Sequence, residues 1–176
     1  MNRLRYFFIW LSRITHSRGF GIQSPGDYSF VRYVVNEHWP YYKYEELAVG
    51  QEDWLSQKLG RLYFRLANWR QPAVIVDAGR SPYWKAGCRH AIVTAELQPA
   101  DIIKVHPTAN TRQTISSVLD NADENTLLII ENIWQEKALW KKVIQDPRTT
   151  VSFDLFLCGL VTFDKKREKR NYIINF

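Results

Sequence analysis

The chain has 176 residues, 45% hydrophobic and 24% charged, with seven Trp and nine each of Tyr and Phe, which excludes a disordered chain and predicts a single packed domain, 1–176. Its two cysteines, Cys88 and Cys158, exclude a disulfide scaffold and a thiolate metal site, so reduced thiols and a cytoplasmic protein are expected. A net charge of +6 is modest for this length, and the one dense run, "KKREKR" at 165–170, reads as a solvated hairpin turn, with nucleic-acid binding unlikely.

The first seventy residues read as helical. Near the start, the apolar run Tyr6 to Leu11 is flanked by basic residues as in a secretory signal, but it is too short and no small-residue cleavage pattern follows. No membrane span is expected. Leu4, Phe7, Phe8, Leu11 and Ile14 recur at helical spacing with Arg3, Arg5 and Arg13 elsewhere on the turn, which predicts an amphipathic helix packed on the core; docking on a membrane surface is the alternative. In "SPGDYSFVRYVVNEHW" Asp27 is the expected N-cap, Phe30, Val31, Val34 and Val35 form the apolar face, and Pro40 is the stop. After a Tyr-rich loop, Leu55, Leu59, Leu62 and Leu66 make the stripe of a third helix that Pro72 ends.

Residues 71–176 read as the core. The pattern there alternates, which predicts an α/β fold with a mostly parallel sheet. Strand candidates are Ala73 to Ala78, Ala91 to Ala95, Asp101 to Val105 and Thr126 to Ile130; helices are expected around Asn110 to Leu119 and Gln135 to Gln145. Beyond Pro147, "TVSFDLFLCGLVTFD" and "NYIINF" look like two or three strands, so the sheet should end in antiparallel members.

The segments "FGIQSP", "GRLYFRLANW" and "LLIIENIWQEKALWKKVIQDPRTTVSFDLFLCGLVTF" resemble a family of class I S-adenosylmethionine-dependent methyltransferase-like proteins from Bacteroidetes. The resemblance implies a Rossmann-like sheet of strand order 3-2-1-4-5-7-6, with cofactor over the carboxyl ends of its first four strands. This chain matches that pattern in a shortened form. Between Glu96 and Asp101 only Leu97, Gln98, Pro99 and Ala100 remain, which leaves nothing for the family's third strand, an edge strand whose end helps enclose the adenine. In "DAGRSPYW" Gly79 is the sole glycine of the phosphate-type loop before Gly87, and Pro82 removes a backbone donor.

The resemblance assigns the vestigial cofactor site to Asp77, Gly79, Glu96 and His106, with Glu96 placed where the family's carboxylate accepts the ribose hydroxyls. His106, Glu131 and Asn132 stand where metal-dependent members carry their ion, but the set holds one formal negative charge, a poor match for Mg²⁺, so no metal is expected. Trp134 reads either as an aromatic wall or as an anchor for the next helix. The favoured reading is a methyltransferase fold that has lost cofactor and catalysis and works as a binding or scaffold module with a protein partner or its own copy. The alternatives are an active S-adenosylmethionine-dependent methyltransferase on a small molecule, its cleft completed by "HWPYYKYEEL" at 38–47, and a nucleic-acid binder. An open pocket between Gly79, Glu96 and His106 favours the enzyme; side chains filling it favour the binding module.

Overall fold

The computed structural model describes residues 3–47, 53–108 and 110–176. Its helices are α1 (Arg3–Ser12), α2 (Pro25–Phe30), α3 (Tyr42–Leu47), α4 (Trp54–Arg70), α5 (Pro82–Gly87), α6 (Thr111–Asn121) and α7 (Lys137–Gln145). The strands are β1 (Val74–Asp77), β2 (Ile92–Thr94), β3 (Ile102–Val105), β4 (Leu127–Glu131), β5 (Val151–Asp154), β6 (Cys158–Thr162) and β7 (Arg170–Ile173). They form one sheet of order β2-β1-β3-β4-β6-β5-β7. With β1, β2, β3 and β4 read as the family's strands 1, 2, 4 and 5, and β5 and β6 as its strands 6 and 7, this is the expected order with strand 3 missing and β2 at the edge. The α/β class and the absent edge strand therefore agree with the sequence reading.

The C-terminal strands differ in detail. Only β6 runs against its neighbours; β5 lies antiparallel to it, and β7 joins β5 in parallel. Residues 165–170 therefore do not close a hairpin. Both edges of β6 are already taken by β4 and β5, so the basic run carries the chain past the end of β5 to its free side. Two of its charges are anchored on the way: Arg167 pairs with Asp27, and Lys169 donates to the carbonyl of Thr149 at 3.1 Å.

Asp27 is consequently not the N-cap of α2. The Ser24 hydroxyl accepts from the Asp27 amide at 3.4 Å, while the Asp27 carboxylate, one turn in and buried, also accepts from the Tyr172 hydroxyl at 3.2 Å. From Phe30 the helix widens into a π-turn, Val31–Val35, which lets Val31, Val34 and Val35 all be buried. The Tyr-rich connection, expected as a loop, contains α3.

Apolar residues of alternating register feed two cores, one on each sheet face. Ile75, Ile102, Leu127 and Ile129 pack under α2, α4 and α5; Val76, Ile103, Leu128 and Ile130 pack against α6 and α7. The helix pair α4 and α5 approaches closely because neither Gly60 nor Gly87 has a side chain. A Cβ on Gly60 would fall inside the Tyr83 ring, and one on Gly87 would strike the Phe64 carbonyl. Pro82, whose missing donor looked like damage, sits in the first turn of α5, where no intrahelical partner is lost.

The stripe of α1 does not pack on the core. Leu4, Phe7, Phe8, Leu11 and Ile14 are all exposed, and the helix is held instead by residues outside the stripe. The Tyr6 hydroxyl donates to the Phe176 carbonyl, and Arg13 pairs with Asp154 at 2.8 Å. Beyond it, Ser17 bridges Asn175 in a short parallel pairing, tying the two ends of the described chain together. Among the described residues, no helix is long and apolar enough to cross a membrane.

Candidate functional site

The carboxyl ends of β1, β3 and β4 carry three charged residues in an otherwise apolar face. Asp77, Lys104 and Glu131 have the same strand parity as Ile75, Ile102 and Ile129, so all three point toward α4 and α5. Asp77 and Lys104 are register partners on adjacent strands. The Lys104 ammonium lies 3.0 Å from Asp77 and 3.4 Å from Glu131, bridging both carboxylates with its side chain only 10% exposed. It also lies over the Tyr63 ring, 5.1 Å from the centroid.

Each carboxylate is further satisfied. Asp77 accepts from the amides of Gly79 at 2.9 Å and Ser81 at 3.0 Å, and from the Trp84 indole at 2.8 Å. Its burial pushes the carboxyl up, but the Lys104 charge, the Ser81 amide and the Trp84 indole outweigh that and hold it below the usual carboxylate range. Glu131 accepts from the Tyr63 hydroxyl and is paired with the His106 ring. Burial, followed by the Glu131 charge, drives the Tyr63 phenol well above its ordinary range, so it stays a donor. Trp84 and Tyr63 stack 4.7 Å apart, and Trp84 is fully buried. Removing one partner from such a desolvated set leaves an uncompensated buried charge.

The sequence-predicted residues are thus divided. Asp77, Gly79, His106 and Glu131 belong to one cluster; Glu96 does not. Glu96 is exposed beyond the edge strand β2, where its amide caps on the Thr94 hydroxyl at 3.1 Å. Asn132 follows β4 in a left-handed conformation, φ 53°, and its amide donates to the Leu157 carbonyl at 2.7 Å. Trp134 stacks on Phe156 with centroids 6.0 Å apart, at the foot of α1. Segment 38–47 does not cover the sheet; its His38, Tyr41 and Tyr44 line a different cleft.

Sequence reasoning missed Lys104, Tyr63 and Trp84. A usable signal for Lys104 was present, a single cation inside the apolar strand "IIKV" between two strands that each end in a carboxylate. Tyr63 was hidden beside the leucine stripe of α4.

A metal is a poor match for this arrangement. Gly79 itself is exposed, and a Cβ placed there would make only ordinary contacts, 3.4 Å from an Asp77 oxygen and 3.7 Å from the Lys104 nitrogen. Gly79, Glu96 and His106 are not among the residues that line the clefts beside α1, α2 and α4. A divalent ion beside His106 and Glu131 would face the Lys104 ammonium. Among the described residues, no group of three His, Cys, Asp or Glu side chains is placed to hold a metal.

No family model matches the chain, and no curated protein matches it. Among solved structures, the chain is similar to the SAH-bound methyltransferase PaMTH1 of Podospora anserina, with a TM-score of 0.52 and 12% identity over 81% of this chain and 96% of that one. At that identity the likeness is one of fold. Together with the strand order, it establishes an α/β sheet of the Rossmann-like methyltransferase type.

Proposed function

We propose that this chain is a methyltransferase-fold protein that has lost S-adenosylmethionine binding and catalysis and serves as a non-catalytic binding module, for a protein partner or a second copy. One observation carries the reading: Lys104 bridges Asp77 and Glu131 across the ground a cofactor would need. Opening that ground would strand two buried carboxylates, at about 3–5 kcal/mol by analogy with other broken buried pairs. Trp84 fills the space behind them, and Glu96, the natural ribose acceptor, has no wall opposite because the adjoining strand is missing.

Calorimetric titration with S-adenosylmethionine and its demethylated product, alongside thermal denaturation, tests the reading. The expected result is no heat and no shift in Tm at millimolar ligand, since a ligand that binds only the folded state must raise Tm. Micromolar binding that disappears in Glu96→Ala would overturn it.

A further inference from the structure

A second cleft, of about 650 Å³, lies between α4, residues 35–45 and the tied chain ends. It shares no residue with the Asp77–Lys104–Glu131 cluster. Five of its described lining side chains are Arg or Lys, against the carboxylates Glu37 and Glu45, and Glu37 is already engaged by the Tyr41 hydroxyl at 3.0 Å. Lys58 and Arg61, one turn apart on α4, lie over the rings of Phe176 and Tyr44 and form no ion pair among the described residues. Burial first, and then the charges of Arg65 and Arg61, push the Lys58 ammonium down to about 8.

A second, independent observation lies in the wall of the same cleft. Asn36 lines it, is 92% buried by its 8% exposure, and its side-chain amide nitrogen has no hydrogen-bond partner. Its position is fixed by Arg65, which donates to the carbonyls of Val34 at 2.6 Å and Val35 at 2.8 Å. A buried donor left unpaired is unfavourable by about 1–3 kcal/mol, a penalty that an acceptor-bearing ligand removes. The walls are aromatic: Trp10, Trp54 and Tyr41 line the cleft, and Trp39 does so while 73% exposed.

We propose that this cleft binds an aromatic oxyanion, a planar ring bearing a phosphate or carboxylate, with Lys58 and Arg61 meeting the charge, the tryptophans covering the ring, and the Asn36 amide turning out of the wall to donate to an oxygen. Charge-assisted hydrogen bonds supply orientation, and ring burial supplies the rest. The proposal goes beyond the lost-cofactor reading and does not depend on it.

The test is tryptophan fluorescence titration of the whole chain with phenyl phosphate, benzoate and inorganic phosphate. Saturable binding of phenyl phosphate or benzoate is expected, the tighter of the two naming the head group, with inorganic phosphate about tenfold weaker for want of a ring. Arg61→Gln, at an exposed position, and Lys58→Gln should each weaken binding about tenfold with Tm unchanged or raised. Three results would overturn the proposal: no saturable response to any probe at about 20 mM, undiminished binding in the double variant, or inorganic phosphate binding as well as phenyl phosphate.

Discussion

The carboxyl end of the sheet and the cleft beside α4 present opposite solutions to buried charge. At the sheet, one lysine bridges two carboxylates, and a tryptophan and a tyrosine donate further hydrogen bonds to them. Beside α4, cations crowd an open volume, and a buried amide donor has nothing to bond. The difference teaches that buried charge can be satisfied internally at one place in a chain and left unpaired at another. At the carboxyl end of the sheet the charged side chains bond to one another, whereas beside α4 an unpaired amide and two cations without ion pairs among the described residues remain.

The sharpest way to break this contrast is Lys104→Met. It should destabilise by about 3–5 kcal/mol in urea unfolding at neutral pH, because Asp77 and Glu131 lose their shared counter-charge. In the native protein the depressed Asp77 carboxyl contributes stability that is present above its unfolded value and is lost as pH falls through its folded one. The variant's deficit should therefore shrink in acid, as the Asp77 carboxylate becomes protonated. A deficit independent of pH would mean that Lys104 matters for packing alone.

Gly87→Ala should cost about 1–3 kcal/mol by forcing α5 off α4, since the Phe64 carbonyl it would strike is backbone and cannot step aside. Trp84→Phe keeps an aromatic ring but removes the indole donor to Asp77, and a loss of about 1–3 kcal/mol in thermal or urea unfolding is expected. Lys58→Met should be neutral or mildly stabilising, as it withdraws a desolvated cation, while weakening any anion response about tenfold. Smallest of all, Glu96→Ala should stay within about 0.5 kcal/mol of the parent, because that carboxylate is exposed.

Much of the architecture could be read from the chain itself because strand periodicity and proline punctuation are local signals. The deletion after Glu96 and the alternation from Ala73 onward depend on nothing distant. The site was less legible for the converse reason. Asp77 and Glu131 stood out as carboxylates at strand ends, but their use depends on register, which pairs Asp77 with Lys104 and sets Tyr63 above Glu131 across 68 residues. The α1 stripe misled because helical spacing reports a face without saying what the face meets. Here Tyr6 and Arg13, outside the stripe, make the contacts.

The tie between Ser17 and Asn175 gives the molecule an order of assembly during synthesis. Those partners are 158 residues apart, and Tyr6 is 170 from its acceptor in Phe176, so neither contact exists until the far residue has left the ribosome. Loop closure over such a span grows only logarithmically in entropic cost, so delay rather than instability is its effect. The sheet from β1 to β4 can form on a nascent chain, whereas the cleft, lined by residues from both ends, is completed last. A ribosome-stalled chain that lacks its final strand and the residues after it would carry the Asp77–Lys104–Glu131 cluster but not the complete wall of the cleft beside α4.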